Sequence, residues 1–441
     1  MLNILIDAYA ISPNWGSEQG MGWNWISNLA KTCNLYIITE GEWRNEIECS
    51  ISAAMRGDMD ETMNPTGLTR QQASHMHFYY LPVTQKVREM CWQQGTWKFY
   101  FHYRKWEYRA YEKAKEIITT FANVPGAQVD VLHKLNMIGF REPGYLWKVR
   151  ELPFVWGPVG GYGSFPIAYL KGARTKTKIK SIVKNILNYV SFFTLPRVRK
   201  AAQRSDLIVA AYRETFEAFR TFYRSDVIQI NETGCFINLD VQPHSSHSSM
   251  FHLLWVGKFD YIKQLGIAIH TMKYLRNNQN IHLFVVGTGN PKDVDYYTEM
   301  VKQCDVQDNV HMLGVLPNIK TRELMKQMDL FFFTSVSDAT STVVPEAISA
   351  GLPVLCHNMR GYGDIVDEKI GRKIKPINPN HSALEFARII KELESNRQAV
   401  RQMSANCLIL RNEISWESNS KRMVKLYESA IDKRGEYCIM Y

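Results

Sequence analysis

The stretch FHLLWVGKFDYIKQLGIAIHTMKYLRN, residues 251–277, decides the fold. Phe251 to Val256 is a short, mostly apolar run of the buried-strand type, and it ends on Gly257. A turn carrying Lys258 and Lys263 follows, and IAIHTMKYLRN then takes up helical spacing. Strand, turn and helix form half of a βα repeat, and such repeats build a parallel sheet.

The same order continues downstream. IHLFVVG (281–287), VHMLG (310–314), DLFFFTS (329–335), LPVLCH (352–357) and a short element near GRKIKP (371–376) read as strands. The helices VDYYTEMVKQC, KTRELMKQM and PEAISAG lie between them. Upstream, the polar DVQPHSSHSSM (240–250) reads as a linker. Before it, NILIDAY (3–9), LYIIT (35–39), VDVLHKL (129–135), DLIVAA (206–211) and VIQI (227–230) form an earlier strand series, and PFVWGPVGGYGSFP (153–166) reads as a Pro/Gly-rich loop after a further strand. A glycine loop, SPNWGSEQGMGW (12–23), leads from the first of these into a helix, NWISNLAKT (24–32). Two α/β halves joined near residue 240 result, with ISWESNSKRMVKLYESAI (414–431) as a terminal helix.

Composition narrows the class. An apolar fraction of 45% and a charged fraction of 22% are those of a folded globular chain, whose core needs no disulfide or metal staple. The eight cysteines are scattered without a C-x-x-C pair, which argues for free thiols in a reducing compartment and against a zinc site. His244 and His247 occupy the linker without Cys or carboxylate companions and read as solvent-facing. The N-terminus lacks a basic leader region, and no segment holds the roughly 18 unbroken apolar residues of a spanning helix. The expectation is a cytoplasmic protein, soluble or peripheral on the inner face of the plasma membrane.

The net charge of +10 is unevenly placed: Lys171 to Arg204 holds ten basic residues and no acidic one. This segment, 171–204, points to an anionic membrane surface as a partner. Its apolar residues also allow an ordinary amphipathic helix with a solvated basic face. WKFYFHYRKWEYRAY (97–111) is similarly aromatic and basic, and reads as a core-packing helix or as the wall of an acceptor groove. No nucleic-acid-binding module is present, so nucleic acid is not expected as a partner.

Ligands of open parallel sheets bind at the carboxyl ends of strands. Lys258 and Lys263 could neutralise a diphosphate there, although taken alone they read as solvated surface lysines. Gly287 and Gly289 lack the third glycine of a dinucleotide fingerprint and read as turn glycines. In SVSDATSTVVPEAISAG (335–351), Pro345 suits the first helical position and Glu346 complements the helix dipole. Helix-start chemistry leaves Asp338, Ser341 and Thr342 unexplained.

The order of these pieces resembles the GT-B retaining glycosyltransferases of family 4. The matching pieces are G-K-F-x3-K at Gly257 to Lys263, V-V-G-T-G at Val285 to Gly289, V-H-M-L-G at Val310 to Gly314, the acids Asp338 and Glu346, and E-A-I-S-A-G-L-P-V. In the first half, ILIDAYAISPNWGSEQGMGWNW resembles the family's glycine loop, VLHKLNMIGFREP its strand-end histidine, and PFVWGPVGG a segment common among bacterial surface-polysaccharide members. The family usually has Arg where Lys258 stands, Glu where Asp338 stands, and Gly where Gln264 stands.

The resemblance implies two Rossmann-like domains facing across a cleft, with a C-terminal helix returning to the N-terminal domain. The implied ranges are 1–235 for an acceptor domain, 236–412 for a nucleotide-sugar donor domain and 413–441 for the returning helix. It implies that Lys258 and Lys263 hold the diphosphate, Glu346 the ribose and Asp338 the transferred sugar, with His133 close by. Ser341, Thr342, Val343, Gly287 and Gly289 would complete the donor site. Gly16, Ser17 and Glu18 would form an acceptor or phosphate loop. The implied activity is metal-independent transfer of a hexose, with retention, from a nucleotide-diphosphate sugar to a glycan or lipid-linked acceptor in cell-surface polysaccharide synthesis. No cofactor is implied beyond the sugar nucleotide as substrate. A non-catalytic GT-B partner protein that keeps the sugar-nucleotide pocket is the alternative, motivated by Lys258 and Asp338.

Overall fold

The computed structural model describes residues 1–441 apart from 59, 61, 171–174, 238–239, 244–248 and 440–441, and no side chain from 436 onward. His244, His247, Lys171 and Arg174 therefore lie outside the described residues. The chain forms two compact units. The first comprises residues 1–163, 188–232 and 416–441, and the second residues 164–187 and 233–415. The segment 164–187 thus groups with the second unit, and the terminal helix Trp416–Ile439 with the first.

In the first unit seven parallel strands are ordered β3-β2-β1-β4-β5-β6-β7. They are β1 (Leu2–Ala8), β2 (Cys33–Thr39), β3 (Met76–Tyr80), β4 (Val131–Asn136), β5 (Phe154–Val159), β6 (Leu207–Ala210) and β7 (Val227–Gln229). The edge strand β3 escapes the sequence reading: MHFYY shows neither the apolar run nor the strict alternation that marks most of the others. The expected Pro/Gly-rich loop at 153–166 is also corrected, because its residues Phe154–Val159 are the fully buried strand β5.

Strands β1 and β4 are enclosed nearly throughout, so successive side chains point into two different covered faces. His133 meets Tyr427 of the helix Trp416–Ile439. Its neighbour Lys134 meets Glu107 of the helix Trp97–Ala122 on the other face. That second helix buries Phe99, Tyr103 and Trp106 and leaves Trp97, Phe101 and Tyr108 exposed beside a groove of about 550 Å³.

In the second unit six parallel strands are ordered β10-β9-β8-β11-β12-β13. They are β8 (Phe251–Val256), β9 (Ile281–Val286), β10 (Val310–Gly314), β11 (Leu330–Phe333), β12 (Val354–His357) and β13 (Gly371–Ile374). β8 pairs with β9 in register along its whole length, Phe251 opposite Ile281 through Val256 opposite Val286. The core on one face gathers Trp255, Leu265, Ile269, Leu283 and Phe332. The expectation of two parallel-sheet, Rossmann-like units is met. Among the described residues, no helix is long and apolar enough to cross a membrane.

Candidate active site

In the second unit the strand order reverses between β8 and β11, where the loops leaving two neighbouring carboxyl ends diverge and open a crevice. The loop after β8 folds back on itself because Asp260 accepts from the amides of Ile262 and Lys263, each at 2.9 Å. A Cβ on Gly257 would stand 3.3 Å from Lys263 Cγ, so the glycine leaves room for the lysine stem. The exit of β11 is stitched to this loop. Thr334 Oγ1 donates to the Lys263 carbonyl at 2.8 Å and accepts from Trp255 Nε1 at 2.9 Å. Ser335 Oγ donates to the Ile262 carbonyl at 3.2 Å.

The outcome is an ion pair. Lys263 Nζ lies 2.5 Å from Asp338 Oδ2, with side chains 20% and 21% exposed. Two residues read from separate motifs are thus brought together, 75 positions apart in sequence. Lys258 sits on the same loop and is exposed. Gln264 has φ +55, a left-handed conformation that suits glycine, and donates to the Tyr261 carbonyl at 2.5 Å.

Glu346 lies in the helix Val343–Ser349. Burial pushes its carboxyl above the usual range, opposed by the Arg322 guanidinium and a hydrogen bond from Asn318. Sequence reasoning missed both of these groups. Their four-residue spacing puts them on one face of the helix Asn318–Met325, but only the fold places that face near Glu346.

Two readings of this region need correcting. Pro345 is the third residue of its helix, not the first. It is tolerated because the first four amides of any helix lack intrahelical partners. Gly287 and Gly289 are more than turn glycines. A Cβ on Gly287 would stand 1.8 Å from the Gly257 carbonyl oxygen, and one on Gly289 would stand 2.9 Å from Phe259 Cβ. Both are required for the close approach of the β8 and β9 exits. Thr342 occupies the N-cap position without a side-chain cap bond, while Ser341 has φ +62 and a buried Oγ with no partner among the described residues.

In the first unit the order reverses between β1 and β4. Gly16 and Ser17 are exposed at the start of the helix Ser17–Leu29, and a Cβ on Gly16 would meet nothing within 4 Å. The close packing falls instead to Gly20, whose Cβ would stand 2.1 Å from the Trp15 carbonyl oxygen. Glu18 Oε1 accepts from the Ile138 amide, just past β4, at 3.0 Å. Burial pushes its carboxyl up to about 7, opposed by that hydrogen bond and by Lys134.

His133 is not at this rim. It is 0% exposed, with Nε2 2.6 Å from the Gly157 carbonyl and Nδ1 2.6 Å from the Tyr427 hydroxyl. Burial lowers its pKa to about 4. The residue expected beside the transferred sugar is a buried pin between β4, β5 and the terminal helix, because it lies inside the strand rather than past its end. Its neighbour Lys134, also missed, is buried with Nζ 2.5 Å from Glu107 and 3.2 Å from Asp7. Among the described residues, no group of three His, Cys, Asp or Glu side chains is placed to hold a metal ion.

Comparisons with known proteins agree with this architecture. Residues 240–407 match the family model Glycosyl transferases group 1. An uncharacterized glycosyltransferase of Methanocaldococcus jannaschii is 25% identical over 184 residues, 42% of this chain and 46% of that protein. The lipopolysaccharide glucosyltransferase WaaG of Escherichia coli is 34% identical over 125 residues, 28% of this chain and 32% of that protein. The chain thus spans less than half the length of these curated relatives. The crystal structure of Anabaena HepE in complex with UDP superposes with a TM-score of 0.60 at 14% identity, covering 97% of this chain and 100% of that one. The chain therefore has the GT-B fold of the glycosyltransferases, and its residues 240–407 match their group 1 domain.

Proposed function

We propose that the protein is a metal-independent, retaining glycosyltransferase of family 4 type. It moves a hexose from a nucleotide-diphosphate donor to a glycan or lipid-linked acceptor in cell-surface polysaccharide synthesis, on the cytoplasmic side of an anionic membrane. The observation that carries this reading is the Lys263–Asp338 pair at the β8/β11 reversal, with Lys258 on the same loop. Support comes from the group 1 match over the same unit and from relatives such as WaaG, a lipopolysaccharide glucosyltransferase.

In this reading a donor diphosphate takes Asp338's place on Lys263, and Lys258 adds a second positive charge. As the anomeric C–O bond breaks, both lysines stabilise the phosphate oxygen that leaves with the electron pair. The acceptor hydroxyl attacks from the same face and passes its proton to that oxygen, so no carboxylate nucleophile of the retaining-hydrolase kind is required. Asp338, released from Lys263, accepts from a sugar hydroxyl, and Glu346 accepts from the ribose hydroxyls. Gly287 and Gly289 leave room for the nucleotide, and the backbone around Ser341, Thr342 and Val343 borders it. The exposed amides at Gly16 and Ser17, with Glu18 beside them, serve the acceptor.

The test is transfer and donor hydrolysis by the purified chain against a panel of nucleotide sugars. Lys263→Ala and Glu346→Ala should each abolish most of the transfer, and wild-type rates in both would refute the site. A second reading, a non-catalytic sugar-nucleotide-binding partner, is favoured by one feature: Asp338 already satisfies Lys263. Nucleotide binding without turnover of any donor would select it.

A further inference from the structure

The helix Thr175–Thr194, TKTKIKSIVKNILNYVSFFT, is built inside out. A helix on the surface of a water-soluble protein turns its apolar stripe inward. Here Ile179, Ile186, Leu187 and Tyr189 are each more than half exposed, and Ile182, Val183 and Val190 each more than a third. The inward positions are largely polar. Ser181 and Asn188 are buried. Asn185 accepts from the Phe165 amide and donates to the Phe165 carbonyl, both at 2.8 Å. Asn188 Nδ2 donates to the Gly163 carbonyl at 2.8 Å, and the large apolar anchors, buried Phe192 and half-buried Phe193, come only in the last turn. The polar face is therefore consumed by the fold, and the apolar face is left to the outside.

The spacing organises the rest. Ile179, Ile182 or Val183, Ile186 and Val190 follow one another at three- and four-residue steps and form a single stripe. Lys176, Lys180 and Lys184 repeat every four residues along one flank, Lys178 lies on the other, and the helix has no acidic residue. The patch extends past the helix: Ile167 is 60% exposed, and a groove of about 560 Å³ runs beside Lys178 and Ile182. A second copy of this chain would oppose lysines to lysines across a shared stripe. An anionic lipid surface satisfies both the stripe and its cationic flanks.

We propose that this helix seats the protein on an anionic bilayer. The Ile179–Val190 stripe lies at the boundary of headgroups and acyl chains, and the lysines lie at the phosphates. This deepens the proposed membrane partnership and does not depend on sugar transfer, because binding is measured with no donor present.

The experiment is flotation of the full chain with phosphatidylcholine vesicles, with and without phosphatidylglycerol. The protein should float with the phosphatidylglycerol vesicles, and about tenfold less with pure phosphatidylcholine or at high salt. An Ile182→Ser, Ile186→Ser, Val190→Ser variant should lose binding by at least about tenfold at an unchanged Tm, since the removed side chains are exposed. Lys176→Gln with Lys180→Gln should blunt the preference for anionic lipid. The proposal is overturned if the wild type floats with neither vesicle, if the triple variant floats like the wild type, or if the stripe mutations only dissolve a dimer that does not bind lipid.

Discussion

The two reversal points of the molecule can be set side by side. In the second unit, the loop after β8 and the loop after β11 are tied by Lys263 and Asp338 at 2.5 Å. In the first, the helix that follows β1 and the loop after β4 are tied by Glu18 and the Ile138 amide at 3.0 Å. Both junctions use one residue from each of two diverging connections, and both sit past the carboxyl ends of central strands. The difference lies beneath them. Under the first junction a charged trio, Asp7, Glu107 and Lys134, is sealed in the core, and Asp7 Oδ1 and Oδ2 have no hydrogen-bond partner among the described residues. Under the second the neighbours are glycines, apolar side chains and the buried hydroxyls of Thr334 and Ser335. The first unit places buried charge beneath its junction, whereas the second relies on close backbone contact and neutral hydrogen bonds.

That contrast yields tests, the largest first. Lys134→Met should destabilise the protein by about 3–5 kcal/mol in denaturant unfolding, because Asp7 and Glu107 lose the cation that, among the described residues, pairs with both. A loss no larger than that of a surface substitution would mean that the trio is not held as an ionic network. Lys263→Ala should act in the opposite manner. Its pair is partly exposed, so stability should change by less than about 1 kcal/mol. Transfer should fall by roughly 10²–10³ in kcat. Equal losses of stability and rate would erase the distinction between the junctions.

The third test uses acid. Glu18 is pushed up to about 7, so between pH 7 and the ordinary glutamate pKa the folded state holds a proton that the unfolded chain lacks. Its contribution therefore improves as pH falls through that window. The buried imidazoles of His133 and His357 run the other way. Both are lowered to about 4, so stability is lost as pH falls from the ordinary histidine range toward 4. Glu18→Gln removes the opposing group, and the variant should lose stability on acidification more steeply than the wild type, by up to about 1.4 kcal/mol per pH unit. Parallel unfolding profiles would show that Glu18 is ionised in the folded protein. The smallest effect belongs to Gln264, held at φ +55. Gln264→Gly should be neutral or stabilising by about 1 kcal/mol in thermal unfolding, since glycine carries no penalty there.

Much of this was legible before any coordinates. The strands of the second unit announce themselves as apolar runs ending in glycine, because a doubly covered parallel strand has no polar face to show. β3 was missed for the converse reason, as an edge strand whose aromatic residues are only half-buried. Lys263 and Asp338, which the fold pairs, could be singled out because they follow strand ends at fixed offsets. His133 satisfied a similar motif and misled. One residue separates a side chain that leaves a strand end from one buried in the sheet, and the sequence does not mark that boundary. Arg322 and Asn318 could not be found at all, since their relation to Glu346 exists only between elements.

The two βα series, the glycines at their strand ends and the basic, acid-free segment 171–204 are legible in the order of residues, because periodicity and local charge are properties of neighbours. That Lys263 meets Asp338, that His133 is enclosed, and that the helix Thr175–Thr194 turns its apolar side outward emerges only when distant segments pack. A helical pattern says that two faces differ. Which face the core takes depends on where Phe165 and Gly163 offer backbone groups to Asn185 and Asn188, and that is a matter of long-range packing.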